Sequence, residues 1–168
     1  APAPPGTIVH RDLAYVSGGH ERQKLDLFLP KDGTNLPLII NIHGGAFKMG
    51  SKEQGVPTEY LAQGYAVASI NYRLSQHAKF PAQIEDCKAA VRWLRAHAAE
   101  YGFDASRIGA TGSSAEPGPA GSGRRLAIWS STKRARAMCF RRMVRAMIPS
   151  LPLRGQPRVR RQSMRSPK

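Results

Sequence analysis

The sequence predicts an α/β fold in which a leading β-hairpin precedes parallel strands joined by crossover helices, and three observations carry that reading. Leu36-Pro37-Leu38-Ile39-Ile40-Asn41-Ile42 is a short continuous apolar run, the sign of a strand buried on both faces of a parallel sheet. Tyr65-Ala66-Val67-Ala68-Ser69-Ile70-Asn71-Tyr72 is a second such run. After it, Ile84, Cys87, Val91, Leu94 and Ala98 recur at spacings of 3, 4, 3 and 4, which gives a helix one apolar face. Strand, helix and strand in this order imply a right-handed crossover. A chain of 168 residues can bury one core and is too short for two ordinary domains.

The elements follow in order. Residues 1–10 are Pro-rich at their start and read as an extended leader. Leu13 to Val16 and Lys24 to Leu29 form a hairpin around Ser17-Gly18-Gly19-His20, with period-two alternation at Leu25, Leu27 and Leu29; Pro30 and Asp32-Gly33 close it. The first apolar run then delivers His43 to its C-terminal end. Glu53 to Gln63 reads as helix, with Gly64 as its stop. Pro81 suits a first helical position, and Glu85, three residues before Lys88, shares the polar face with Arg92 and Arg95. Tyr101-Gly102 ends that helix. Arg107 to Thr111 is a brief strand running into a turn at Gly112.

Beyond Ala115 the pattern dissolves. Residues 1–115 hold 12 Lys+Arg against 10 Asp+Glu, whereas residues 116–168 hold 14 against 1, so nearly all of the net charge of +15 lies in the last third. Glu116-Pro117-Gly118-Pro119 opens a breaker-rich stretch, and Pro149, Pro152, Pro157 and Pro167 forbid long helices. Residues 116–168 therefore read as a basic tail of low order, with Ala135 to Ile148 its best candidate for local structure, and residues 11–115 as a partial α/β domain. A basic tail attracts phosphates, but this argument extends only to the tail, so no specific nucleic-acid partner is expected of the domain. Cys87 and Cys139 match no metal or redox spacing and are expected as free thiols. No apolar run reaches the length of a membrane span. The start at Ala1-Pro2-Ala3-Pro4-Pro5, without methionine, suits a mature secreted or periplasmic protein or equally a trimmed chain.

The chemistry lies in two segments. His43-Gly44-Gly45 follows a buried strand, and Gly112-Ser113-Ser114-Ala115 follows another about seventy residues later. Serine attack on an ester carbonyl makes a tetrahedral oxyanion, and fixed N–H groups aimed at it contribute about 3 kcal/mol each. Glycines let successive amides turn into one concavity. The plain alternative for the first segment is a strand-end turn with histidine as a local anchor. The second approaches G-x-S-x-G, in which small residues relieve crowding around a nucleophile held in a tight strand-to-helix turn; Gly112 and Ser114 fit, while Glu116 stands at the second glycine position. An ordinary serine-rich turn is the alternative there. This mechanism calls for no cofactor and no metal.

IHGGAF at the first segment, NYRLS at 71–75, FPAQ followed by Asp86, and the Gly112 turn stand together in order and spacing. Over about residues 11–115 the chain closely resembles the α/β-hydrolase esterases of the lipase/carboxylesterase group, particularly those related to bacterial feruloyl and acetyl-xylan esterases. The resemblance implies the N-terminal half of an α/β-hydrolase fold and hydrolysis of small carboxylic esters. It makes Ser114 the nucleophile, has the amides of Gly45, Ala46 and Ala115 line the oxyanion hole, and leaves His43 and Gly44 to support that loop. Phe47 replaces a tryptophan common in relatives. After Ala115 relatives read Gly-Gly-His-Leu-Ala and go on to the triad acid and histidine. Here the five histidines, His10, His20, His43, His77 and His97, all precede Ser114.

With the base absent from these 168 residues, the expectation is a poor catalyst. The break in composition has the marks of a GC-rich gene read out of frame near codon 115, with a genuine basic appendage as the rival. Other functional readings are a non-catalytic fragment completed by another chain and a polybasic nucleic-acid or anion binder. If the strand ending near Thr111 is central, its open edge invites self-association.

Overall fold

A computed structural model describes residues 3–112 and, for the backbone alone, Ser113 and residues 125–128. Ser114, Ala115, Cys139 and the Ala135 to Ile148 segment lie outside the described residues. Six strands form one mixed sheet in the order β1-β2-β4-β3-β5-β6. They are β1 (Ile8–Ala14), β2 (Lys24–Leu29), β3 (Leu36–Ile42), β4 (Ala66–Ile70), β5 (Phe103–Ser113) and β6 (Arg125–Ile128). β1 and β2 make the expected antiparallel hairpin, β2 pairs antiparallel with β4, and β4, β3 and β5 run parallel.

The buried runs form strands because both of their faces are covered. Along β3 and β4, Leu38, Ile40, Ile42, Ala66, Ala68 and Ile70 point into the larger core, where Cys87, Ala90 and Leu94 of α1 (Ala82–Ala96) meet them. Val67 turns the other way, onto Phe28 and Leu61, and Leu61 belongs to a 3-10 helix, Thr58–Gln63. The helix thus covers one face of the sheet and the 3-10 segment part of the other. Cys87 is a free, buried thiol, as expected.

Several boundaries differ from the sequence reading. The leader is shorter than expected, since β1 already begins at Ile8. Its pairing with β2 shifts between His10 and Leu13, where Asp12 takes φ 54° and its N–H donates to Asp26 Oδ1 at 2.9 Å. This is a bulge stabilised by a buried carboxylate. The helix expected over Glu53 to Gln63 is confined to the 3-10 turn from Thr58, because Pro57 has no N–H to donate and Gly55 sits at φ 64°. Gly64 does stop it, at φ 80°. The main helix ends at His97, and Ala98 starts a separate turn, α2 (Ala98–Tyr101), which Gly102 terminates in the left-handed region. β5 runs from Phe103 to Ser113, well beyond the brief strand predicted. Within the stretch read as a tail, β6 is a strand the sequence did not announce. It lies antiparallel on Ala110 to Ser113, where a tail of low order was expected.

Candidate active site

The strand order makes the site. From β3 the chain moves to β4 on one side; from β4 it crosses back through α1 to β5 on the other side of β3. Ligands of open α/β sheets bind where neighbouring strands send their connections to opposite sides, outside the carboxyl ends. Here that place lies between β3 and β5. Ile42 pairs with Gly112 in parallel register, so His43 leaves one strand beside Ser113 of the next, about 4.8 Å away across the ladder. Ser114 follows Ser113 in the chain and, with Ala115, lies outside the described residues.

The loop 43–50 is held in an unusual backbone conformation. Gly45 has φ 115°, and a Cβ there would stand 2.2 Å from Met49 O, so only glycine fits. Ala46 and Phe47 follow at φ 51° and 61°, left-handed positions that non-glycine residues adopt at a cost of about 1 kcal/mol each. The loop's carbonyls are engaged. Gly45 O accepts from the Lys48 and Met49 N–H groups at 2.9 and 3.1 Å, and Phe47 O accepts from the Ser75 N–H at 2.8 Å and the Ser75 hydroxyl at 3.1 Å. Gln76 Nε2 donates to Lys48 O at 3.2 Å. No acceptor among the described residues takes the amides of Gly44, Gly45, Ala46 or Phe47. A run of such amides at a strand end is what binding an oxyanion requires.

His43 lies beneath this loop, 2% exposed. Its ring stacks on Tyr72 with centroids 4.3 Å apart and planes within 9°, and the Tyr72 hydroxyl donates to His43 O at 2.8 Å. His43 Nδ1 is 2.8 Å from Gly44 O. Burial disfavours the imidazolium, with the Arg22 charge acting in the same sense; together they outweigh the Gly44 bond and Glu53, and the ring titrates below the usual histidine range.

The NYRLS and FPAQ-D motifs buttress the loop. The Asn71 carbonyl accepts from the Tyr15 hydroxyl at 2.8 Å, and its Oδ1 from the Lys52 N–H at 2.7 Å. Arg73 donates from its backbone N–H, Nε and Nη2 to Asp86 at 2.9, 2.9 and 2.7 Å, and Gln23 Nε2 adds a fourth bond at 2.7 Å. Burial alone would raise the Asp86 carboxyl, but these donors hold it below its ordinary value. On the opposite face Lys52 bridges Asp26, Glu53 and Asp12 at 2.8, 3.0 and 3.3 Å, and Ser69 Oγ donates to Lys52 O at 2.6 Å. The other histidines have local roles. Nδ1 of His77 accepts from the Leu74 N–H at 3.1 Å, and Nδ1 of His97 donates to Trp93 O at 2.8 Å. Arg22, which touches the loop directly, carried no signal in the sequence.

This arrangement is a switch-point site on a sheet of the α/β-hydrolase kind, with a loop of unengaged amides at the carboxyl end of β3. The chain belongs to the BD-FAE family, whose model matches residues 25–127 and so continues past the change in composition to β6. Esterase LipQ of Mycobacterium tuberculosis is 36% identical over 110 residues, which are 62% of this chain and 26% of LipQ. The Arylesterase of Saccharolobus solfataricus is 36% identical over 92 residues, 53% of this chain and 30% of that protein. The chain thus spans between a quarter and a third of the length of these relatives. Among solved structures, a truncated form of a carbohydrate esterase from gut microbiota is 37% identical with a TM-score of 0.60, covering 66% of this chain and 41% of that one. Esterase B from Lactobacillus rhamnosis superposes with a TM-score of 0.60 at 28% identity, covering 67% and 37%.

Proposed function

We propose that this chain carries the nucleophile and oxyanion-binding half of a serine hydrolase acting on small carboxylic esters. In this reading Ser114 attacks the ester carbonyl, the amides of Gly45, Ala46 and Ala115 receive the developing negative charge, and water later releases the acyl group. His43 and Gly44 support the loop. The observation that carries the reading is the parallel pairing of Ile42 with Gly112, which sets the chain's approach to Ser114 beside the loop that presents unengaged amides. Esterase names among the relatives agree with it. With no histidine after Ser114 in the sequence, turnover by this chain is expected to fall on the order of 10⁴ to 10⁶ below that of a complete triad.

The test is hydrolysis of a p-nitrophenyl ester by the chain and by Ser114→Ala. Slow turnover that disappears in the alanine variant supports the assignment. Turnover unchanged in that variant contradicts it. Along β5, β6 covers only Ala110 to Ser113, so the stretch from Phe103 to Gly109 has no strand partner on that side among the described residues, and the chain is expected to self-associate there. A monomer in size-exclusion chromatography, independent of concentration, would oppose that expectation.

A further inference from the structure

The loop that presents the amides is closed from behind by Arg22, in the connection between β1 and β2. Its Nη2 donates to Gly50 O at 2.7 Å and lies 3.3 Å from Asn71 Oδ1, while Nε donates to Tyr72 O at 2.9 Å. One guanidinium therefore ties the end of the loop to the exit of β4. The same Nη2 faces His43 Nε2 at 3.4 Å. A carbonyl only accepts, so the 2.8 Å contact with Gly44 O puts the ring proton on Nδ1 and leaves a lone pair at Nε2, turned toward the guanidinium. Gly50 has φ 98°, and a Cβ on it would stand 2.4 Å from both Gly44 O and His43 Nδ1, so the loop end backs directly onto the His43–Gly44 bond.

We propose that Arg22 is the positioning residue of this loop: it anchors Gly50 and keeps His43 Nε2 unprotonated, which preserves the bond that orients the Gly44 peptide. The charged and titratable groups facing His43 are Arg22 from the β1–β2 connection, Glu53 from the segment after Gly50, and Tyr72 stacked on it from the end of β4. An imidazolium would aim a second N–H at the guanidinium donors, a like-charge contact in a buried place. Arg22 gives this support through backbone carbonyls and a lone pair, and takes no part in ester chemistry. The inference rests on the proposed function only for what the loop is for, and its readouts involve no ester.

The experiment uses the full chain labelled with ¹⁵N, in the parent, Arg22→Met and Arg22→Lys forms. Ring-nitrogen shifts of His43 are followed between about pH 8 and about pH 5, the range in which histidines ordinarily titrate. The parent is expected to hold one Nδ1–H tautomer, and Arg22→Lys, which keeps the charge, to hold it as well. In Arg22→Met the Nε2 resonance should shift and the protonation midpoint rise. Amide exchange at Lys48, Met49 and Ser75, whose N–H groups close the loop, should quicken about tenfold, the equivalent of one charge-assisted hydrogen bond, while Ile40 and Val67 in the sheet keep their rates. If Arg22→Met does not fold, Arg22→Gln replaces it with the same expectations. Unchanged His43 nitrogen shifts together with unchanged exchange at 48, 49 and 75 in the neutral variant would overturn the proposal. A failure of ester turnover would leave these readouts untouched and count only against the proposed function.

Discussion

Ile42 and Gly112 are paired across neighbouring parallel strands, and this one register aligns the two segments in which the sequence concentrates its chemistry. Segments almost seventy residues apart in the chain become neighbours because β4 lies on one side of β3 and β5 on the other. The loop that follows Ile42 keeps its shape through glycine geometry and hydrogen bonds from Arg22 and from residues 72–76.

Gly45→Ala should therefore be costly although the side chain is small. The added methyl meets Met49 O at 2.2 Å on a backbone at φ 115°, so the loop must open or the peptide must flip. We expect a loss on the order of 2 kcal/mol in urea unfolding, together with loss of any Ser114-dependent turnover. A variant as stable as the parent would show that the loop relaxes freely.

Asp86 sets an acid limit on stability. Its burial favours the neutral form, yet the Arg73 donors hold its carboxyl below the unfolded value. Its contribution is thus complete above about pH 4, the ordinary carboxylate value, and is lost as pH falls through the lower folded value. Asp26, buried but bonded to Lys52, acts with the same sign. Urea midpoints should fall as pH drops below about 4, and Asp86→Asn should cost about 3 kcal/mol at neutral pH while flattening that dependence. An unchanged acid slope in Asp86→Asn would assign the sensitivity elsewhere.

Much of this was legible in the residues. β3 and β4 announce themselves as apolar runs because both faces are covered, and α1 by its apolar spacing. His43-Gly44-Gly45 was legible because few other needs place two glycines at a buried strand end. The segment 51–57 was not, because distant polar groups fix it: Ser69 Oγ holds Lys52 O, and Asn41 Nδ2 holds Gln54 O at 3.2 Å. Arg22 was invisible for a similar reason, since its acceptors are carbonyls of residues 28 and 50 positions further along the chain. A backbone carbonyl leaves no trace in a sequence. β6 was missed because Leu126, Ala127 and Ile128 follow a breaker-rich stretch and two arginines, and three apolar residues are too few to show an alternation.

Cys87 should be inert in the folded protein. Burial in the core pushes its thiol up to about 12, so almost no thiolate is present at neutral pH. Iodoacetamide should modify it only as fast as the chain unfolds, and mass spectrometry of the Cys87 peptide follows this directly. Modification within minutes under native conditions would show that α1 opens locally.

Trypsin should separate the two compositions of the chain. We expect the first cuts at the basic residues beyond β6, leaving a resistant core that ends near residue 128, because residues 129–168, with 12 basic residues and no acidic one, lack apolar surface to offset ordering. Resistance through Arg161 would contradict this. The coding nucleotides bear on the same break: a one-base shift near codon 115 that fails to restore an esterase-like continuation would remove the reading-frame explanation.

The most direct measurement is labelling by a fluorophosphonate, which reacts with serine only where a base activates it. An oxyanion loop and a nucleophile without that base in these 168 residues should give slow, sub-stoichiometric modification confined to Ser114 and abolished in Ser114→Ala. Rapid, complete modification of Ser114 would reveal a base within this chain, and modification elsewhere with Ser114 untouched would remove the nucleophile assignment.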